Sequence, residues 1–373
     1  MRTIVKLIRG LRSGAAALVF GQKILQAWAR NYLTRKLNES PDLEAAIGNL
    51  ELRLLQSLAV VRDVRLTKLS GGRRMVEARC REISIHIQWR ELLRGTLMGS
   101  AHLREPHIEI FADRARNSKD QAKEPQIDAL LALCRETQRF MPFHLQSLEI
   151  TEGGIDYVSQ FTSPPFKLTL DRVSLSATHL TNIPAAETMA HVSVEGRTTG
   201  QGRFWLQLTL PSLADALTFD LQAGLNHVNL VDLNDLLRAY AKFDLKRGIC
   251  SIYSEFAVED GRYQGYIQPR FQNLDVFAWE KEHGKSFLQV CRHAVIAFLA
   301  GAFKNKPRDE LALNVPISGT FDDADVDVWS AVGSLLRNAF IRALLPVPQK
   351  NASEKETRPR PRFRFWQRKH APC

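Results

Sequence analysis

Four carboxylates close together, Asp322, Asp323, Asp325 and Asp327, are the densest group in this 373-residue chain able to hold a hard cation. Calcium would suit the residue type, but the spacing lacks the glycine and closing glutamate of an EF-hand loop. The group precedes an apolar periodic segment, so its expected role is to favour a helix N-terminus. Glu280 and Glu282 flank Lys281 near His283, in the pattern of a solvated turn. The ten histidines form no H-x-H and no H-E-x-x-H, and His86 falls on the polar side of an alternating run. There is no G-x-S-x-G elbow and no P-loop. Gly200-Gln201-Gly202 is a bare G-x-G between two alternating runs, which reads as a hairpin turn. The five cysteines, Cys80, Cys134, Cys250, Cys291 and Cys373, are widely spaced and odd in number. They outline neither a disulfide framework nor a zinc site, and Cys134 and Cys291 read as small buried hydrophobes. Acids, bases and thiols are all present, but none stands at the sequence spacing of a catalytic motif. The expectation is a protein without catalytic residues, metal site or cofactor.

The elements that would position any site are mainly strands. Ile83, Ile85 and Ile87 alternate with Ser84, His86 and Gln88. Phe166, Leu168 and Leu170 alternate with polar residues, and after a one-residue slip of phase Val173, Leu175 and Ala177 continue the pattern. Phe204, Leu206, Leu208 and Leu210 repeat it, as do Phe219, Leu221, Ala223 and Leu225. A period of two means one apolar and one wet face. Turn signals at Ser70-Gly71-Gly72, Gly153-Gly154, Gly200-Gln201-Gly202 and Asp260-Gly261 predict short connections and an antiparallel meander. Helical spacing is confined to Trp89–Arg94, Gln126–Phe140, Asp232–Phe243, Ser286–Phe303 and Asp327–Leu345. A sheet with one apolar face must bury it against something, and these helices are too few to cover it all. Either the sheet curls on itself, or part of the face remains for an apolar ligand.

Charge divides the chain into three parts. Residues 1–38 carry eight Lys/Arg and no acid, and residues 350–373 carry eight against Glu354 and Glu356. The body, 39–349, holds 35 basic and 38 acidic residues, so the net +11 belongs to the tails. A basic tail beside apolar residues suits anionic lipid headgroups better than the basic folded face that nucleic acid requires. Ser13–Gln22 is uncharged but falls short of the roughly 20 residues of a membrane span. A single degenerate anchor, a helix lying on the surface, a signal-peptide core and a mitochondrial presequence all fit residues 1–38. At the other end Trp329, Leu336, Phe340 and Leu344 supply apolar area on the closing helix. With the arginines and aromatics of the tail they form a candidate membrane contact, RNA binding by the tail being the alternative.

Four segments, in order, resemble the AsmA-like proteins of bacterial envelopes, in a subfamily labelled a domain of unknown function. They are LLRGTLMGSAHLREPHIEIF (92–111), FHLQSLEITEGGIDYVSQFTSPPFKLTLDRVSLSATHLTNI (143–183), LNDLLRAYAKFDLKRGICSIYSEFAVEDGRYQGYIQPRFQNLDVF (233–277), and 286–345 with KNKPRDELALNVPISGTF. The resemblance implies a mainly β fold: a curled antiparallel groove with a few peripheral helices, held by an N-terminal membrane-anchor helix. It implies an inner-membrane location with the body in the periplasm. It also implies non-enzymatic transfer of phospholipid, as in the larger bridge-like lipid-transfer proteins. An assembly or scaffolding factor that binds other envelope proteins is the alternative, and no nucleic acid is expected. The expected groove liners are Phe166, Leu168, Leu170, Phe204, Leu206, Leu208, Phe219 and Leu221. About 14 strands at about 4.8 Å would reach roughly 65 Å, which favours a partial conduit or shuttle over a complete bridge.

Overall fold

The computed structural model describes most of residues 42–112, 142–277 and 310–344, with scattered positions from 26 to 38. The residues form one open, mainly β sheet of thirteen strands. The strands are β1 (Leu43–Arg53), β2 (Leu58–Ser70), β3 (Arg73–Ile87), β4 (Leu97–Phe111), β5 (Phe143–Ser159), β6 (Phe166–Thr181) and β7 (Ala190–Thr198). They continue as β8 (Arg203–Leu210), β9 (Phe219–Asn229), β10 (Asp244–Glu259), β11 (Arg262–Phe277), β12 (Glu310–Ala312) and β13 (Val315–Thr320). Each strand pairs with its neighbours in sequence, and β12 and β13 lie end to end along the same edge of β11. The expected meander is therefore present, with one departure. β4 and β5 run parallel, Leu103 opposite Ile150 and Ile110 opposite Tyr157, so the sheet is mixed.

Three described helices accompany the sheet: α1 (Trp89–Leu93), α2 (Asn234–Tyr240) and α3 (Val328–Leu344). A 3-10 turn, Leu230–Leu233, leads into α2, and the side chain of Asn229 caps it by accepting from the Val231 amide at 3.3 Å. Asp327 caps α3, its carboxylate accepting from the amides of Trp329 and Ser330 at 3.0 and 3.1 Å. That is the helix-start role expected of the acidic group; Asp322, Asp323 and Asp325 lie outside the described residues. So do the expected helices at 126–140 and 286–303, residues 280–283, Cys134, Cys291 and Cys373, the run 13–22 and the basic tail. The expected anchor, residues 1–38, lies mostly outside the described residues, and no described helix is long and apolar enough to cross a membrane.

The phase slip in β6 is a β-bulge. Arg172 takes the extra place with φ +50, so Val173, Leu175 and Ala177 stay on the same face as Phe166, Leu168 and Leu170. A left-handed backbone recurs at neighbouring register positions: Asp63 in β2, Glu105 in β4 and Glu152 in β5 have φ of +56, +51 and +54, and the pairing of β2 through β5 keeps its register there. These side chains accept a left-handed backbone that costs about 1–2 kcal/mol each. Lined up, they make a seam between β2 and β6, ending in the β5–β6 bulge where twist and bending increase. Gly153-Gly154, expected as a turn, lies inside β5 at this seam. The His107 ring occupies the space where a side chain on Gly154 would go, 2.7 Å from its Cβ position. The turns at 70–72, 200–202 and 260–261 do connect neighbouring strands.

Edge strand β1 is not left bare. Gln26 and Arg30 donate to the carbonyls of Leu52 and Ile47 at 3.3 and 3.0 Å. Asn38 makes a reciprocal pair with the backbone of Ala45. Positions 26 and 30 share one helical face and Asn38 follows in a turn, so these polar side chains satisfy part of the unpaired rim of the sheet.

Candidate functional site

The two faces of the sheet differ in chemistry. Cross-strand partners share a face, so the register follows a single line of side chains from edge to edge. One line begins Leu50, Val61, Ile83 and passes through Leu103, Ile150 and Leu175. It continues Val194, Leu206, Ala223 and ends Ser254, Ile267, Val315. The adjacent line runs Leu52, Ala59, Ile85, Ala101, Leu148 and Ala177. It then passes through Val192, Leu208, Leu221, Phe256, Gly265 and Ile317. Ser254 alone carries a polar group, and its hydroxyl donates to the Ala223 carbonyl at 3.2 Å. Two parallel apolar tracks therefore cross the sheet with no unmet donor on them.

Cover along these tracks is uneven. In the C-terminal half Ala223, Ser254, Leu208, Leu221, Phe256 and Ile267 are buried, under a cluster that includes Val328, Ala331, Val332 and Leu335 of α3. In the middle, Ile83, Leu103, Ile150, Leu175 and Val194 stand side by side and are only half-buried. Beyond the seam a second cluster gathers Leu43, Met75, Val76, Ile110, Tyr157 and Phe166, with Leu236 of α2 against it. A third holds Ile47, Leu50, Leu52, Ala59, Val61 and Ile87.

All eight expected liners lie on this apolar face, at different depths. Leu168, Leu170 and Phe204 are half-buried. Phe166 and Leu206 are 6% and 7% exposed, while Leu208, Phe219 and Leu221 are at 2% or less and belong to packed core. The half-buried middle residues were missed because adjacency across strands depends on register, which alternation within one strand does not reveal. Trp329 and Leu336, expected at a membrane, are half-buried against the main cluster. The side chains of Phe340 and Leu344 lie outside the described residues.

The opposite face is polar and well paired. Glu77, nearly buried, accepts from Arg79 at 2.8 Å with Arg74 and Arg65 at 3.4 and 3.7 Å. The bond from Arg79 leads the effects that hold its carboxyl below the usual range, against burial. Asp156 meets His107, Lys167 and Thr169 at 2.9, 3.0 and 2.9 Å. Burial pushes its carboxyl up, and the bonds and charges of these neighbours together bring it below the usual range. Each is a satisfied ion cluster on a sheet surface, without a reactive partner poised beside it.

No protein-family model matches this chain, and no curated protein does. The geometry must therefore carry the assignment. Among the described residues no group of three or more His, Cys, Asp or Glu could hold a metal ion. Cys80 and Cys250 are free and buried. Burial pushes the Cys250 thiol up to about 12, far from a nucleophilic thiolate. What the arrangement can do is hold apolar matter along its central tracks.

Proposed function

We propose that this chain binds phospholipid acyl chains along its apolar face, curled into a groove, and moves them without catalysing a reaction. The observation behind this reading is the pair of apolar tracks, twelve strand positions long, the first of which is half-buried from Ile83 to Val194. Apolar contact is non-directional, so side chains of like chemistry at every step let a hydrocarbon chain slide without a strong stopping point. Each buried methylene contributes about 0.8 kcal/mol, enough to hold a chain along the groove. Twelve strand positions at about 4.8 Å give a track of about 50 Å, close to a bilayer's 40–45 Å. That length suits a shuttle or partial conduit. The bacterial inner membrane, with the body in the periplasm, is the proposed setting.

The test is mass spectrometry of organic extracts from the full chain purified without detergent. Phospholipid should accompany the wild type, and Leu103→Asp or Leu175→Asp should lose it while remaining folded. A wild type that carries no more lipid than an unrelated soluble protein would overturn the reading. A retained protein partner in its place would favour scaffolding.

A further inference from the structure

We propose that the corner made by the β1–β2 and β3–β4 connections inserts into a bilayer surface, with Leu55 and Leu93 as the inserting side chains. Among the described residues these are the two most exposed large hydrophobics, at 104% and 89%; the next, Phe161, is at 56%. They occupy neighbouring connections at the same end of the sheet. Leu55 sits in the 3-10 turn Leu54–Gln56, and Leu93 closes α1. The Ile87 amide donates to the Ser57 carbonyl at 2.7 Å, joining the two connections. The helix itself divides its side chains: Trp89 and Leu92 pack on the cluster of Leu50, Leu52 and Ile87, while Leu93 points away from it.

Chemistry and shape commit this corner to a lipid surface. A single leucine on a projecting turn offers little contiguous area to a flat protein partner, yet it can be wholly buried in hydrocarbon. Arg53, Arg90 and Arg94 flank the leucines, against Glu51 and Glu91. Arg53 and Arg94 are steadied by Glu51 and Glu91 at 2.7 Å each. Guanidinium groups there face the phosphate layer while their stems lie along the apolar region. The corner also adjoins the apolar face through the cluster it shares with β1–β3. The proposal deepens the acyl-binding reading by placing the bilayer at one end of that face.

The experiment uses the full chain with vesicles of phosphatidylglycerol and phosphatidylcholine in equal parts. Removing each leucine should weaken vesicle partition on the order of tenfold or more, so Leu55→Ser with Leu93→Ser should lose about a hundredfold. Both side chains are exposed, so thermal unfolding should not change. A local readout guards against binding through the basic N-terminus. A polarity-sensitive fluorophore on Leu93→Cys, with Cys134, Cys291 and Cys373 replaced by alanine, should shift to the blue on adding vesicles. Brominated acyl chains should quench it. The same label on Phe161→Cys, at the opposite end of the sheet, should do neither. No shift at position 93, or a shift that tracks protein concentration without vesicles, would overturn the proposal, the latter by assigning the corner to a second copy. Lipid extracted from the double variant separates the two readings. Cargo retained with vesicle binding lost supports docking at this corner, whereas a wild type that docks without cargo overturns only the groove.

Discussion

The indole of Trp205 lies across Gly224 so closely that a Cβ at 224 would stand 2.2 Å from Nε1. The ring reaches toward Tyr253, centroids 5.9 Å apart, and Tyr253 toward Tyr266 at the same distance. Glu255 accepts from the Tyr266 hydroxyl at 2.7 Å, anchoring the far end. Gly224→Ala should force the indole off the sheet and cost about 1–3 kcal/mol, a typical overpacking penalty. Trp205→Ala in the same chain should recover part of that loss. Equilibrium urea unfolding of the four members of the cycle measures the coupling.

The seam makes a different kind of prediction. Deleting Arg172 would restore strict alternation and turn Val173, Leu175 and Ala177 to the polar face. The protein should then fail to fold, as seen by loss of a cooperative melt. Arg172→Gly keeps the residue count and accepts φ > 0 freely, so its melt should stay within a few degrees of the wild type.

Depth on the apolar face should be measurable residue by residue. Leu221 is fully buried, and Leu221→Asp leaves an unpaired charge in a packed cluster, at a cost of several kcal/mol. Leu206→Asp should behave similarly. Leu103 and Leu175 are half-buried, so the same change there should lower stability by much less. Denaturant titration of the four variants orders them.

Glu77 sets an acid limit. Its carboxyl lies below the usual value of 4.5 in the folded protein, chiefly through Arg79. Its stabilising contribution is therefore complete above pH 4.5 and declines as pH falls through the folded value. Asp156 shifts in the same direction. Glu77→Gln should be less stable than wild type at neutral pH, and the gap should narrow on acidification below pH 4.5. Melting curves from neutral pH to about pH 3 follow that convergence.

The β1 rim offers a local test. The Ala45 amide donates to the Asn38 side chain at 2.6 Å. Asn38→Ala should accelerate hydrogen exchange at Ala45, leaving Leu221 in the buried centre of the sheet unchanged. With Arg30→Ala added, the bared carbonyls should promote association through β1, seen as a rise in light scattering.

The strands, their apolar face and the slip of phase between Leu170 and Val173 were legible in the sequence, because periodicity and its slips are carried by neighbouring residues; that the slip is a bulge at Arg172 shows only in the register. The expected helices at 89–94, 232–243 and 327–345 match observed ones closely, with Asp327 as the start signal. The parallel step between β4 and β5 was not legible. Alternation has no direction, and the polar stretch from 113 to 125 gives no sign of which way the next strand runs. Gly153-Gly154 misled because two glycines serve a turn and a bulge equally well, and only the His107 ring above Gly154 distinguishes the two. Depth was also hidden: Leu208 and Leu168 read alike in sequence, but only Leu208 lies in the fully buried centre of the main cluster.

The parallel step decides where the sheet is tethered. Were all twelve strand positions antiparallel, an even number would bring the chain out at the end where it entered. One repeated direction between β4 and β5 reverses that parity. The chain therefore enters β1 at the end of the β2–β3 hairpin and leaves β13 at the end of the β10–β11 hairpin. These two points lie on opposite edges as well as opposite ends. Whatever precedes Leu43 and whatever follows Thr320 are thus attached at diagonal corners, and a pull between them would run obliquely across every strand.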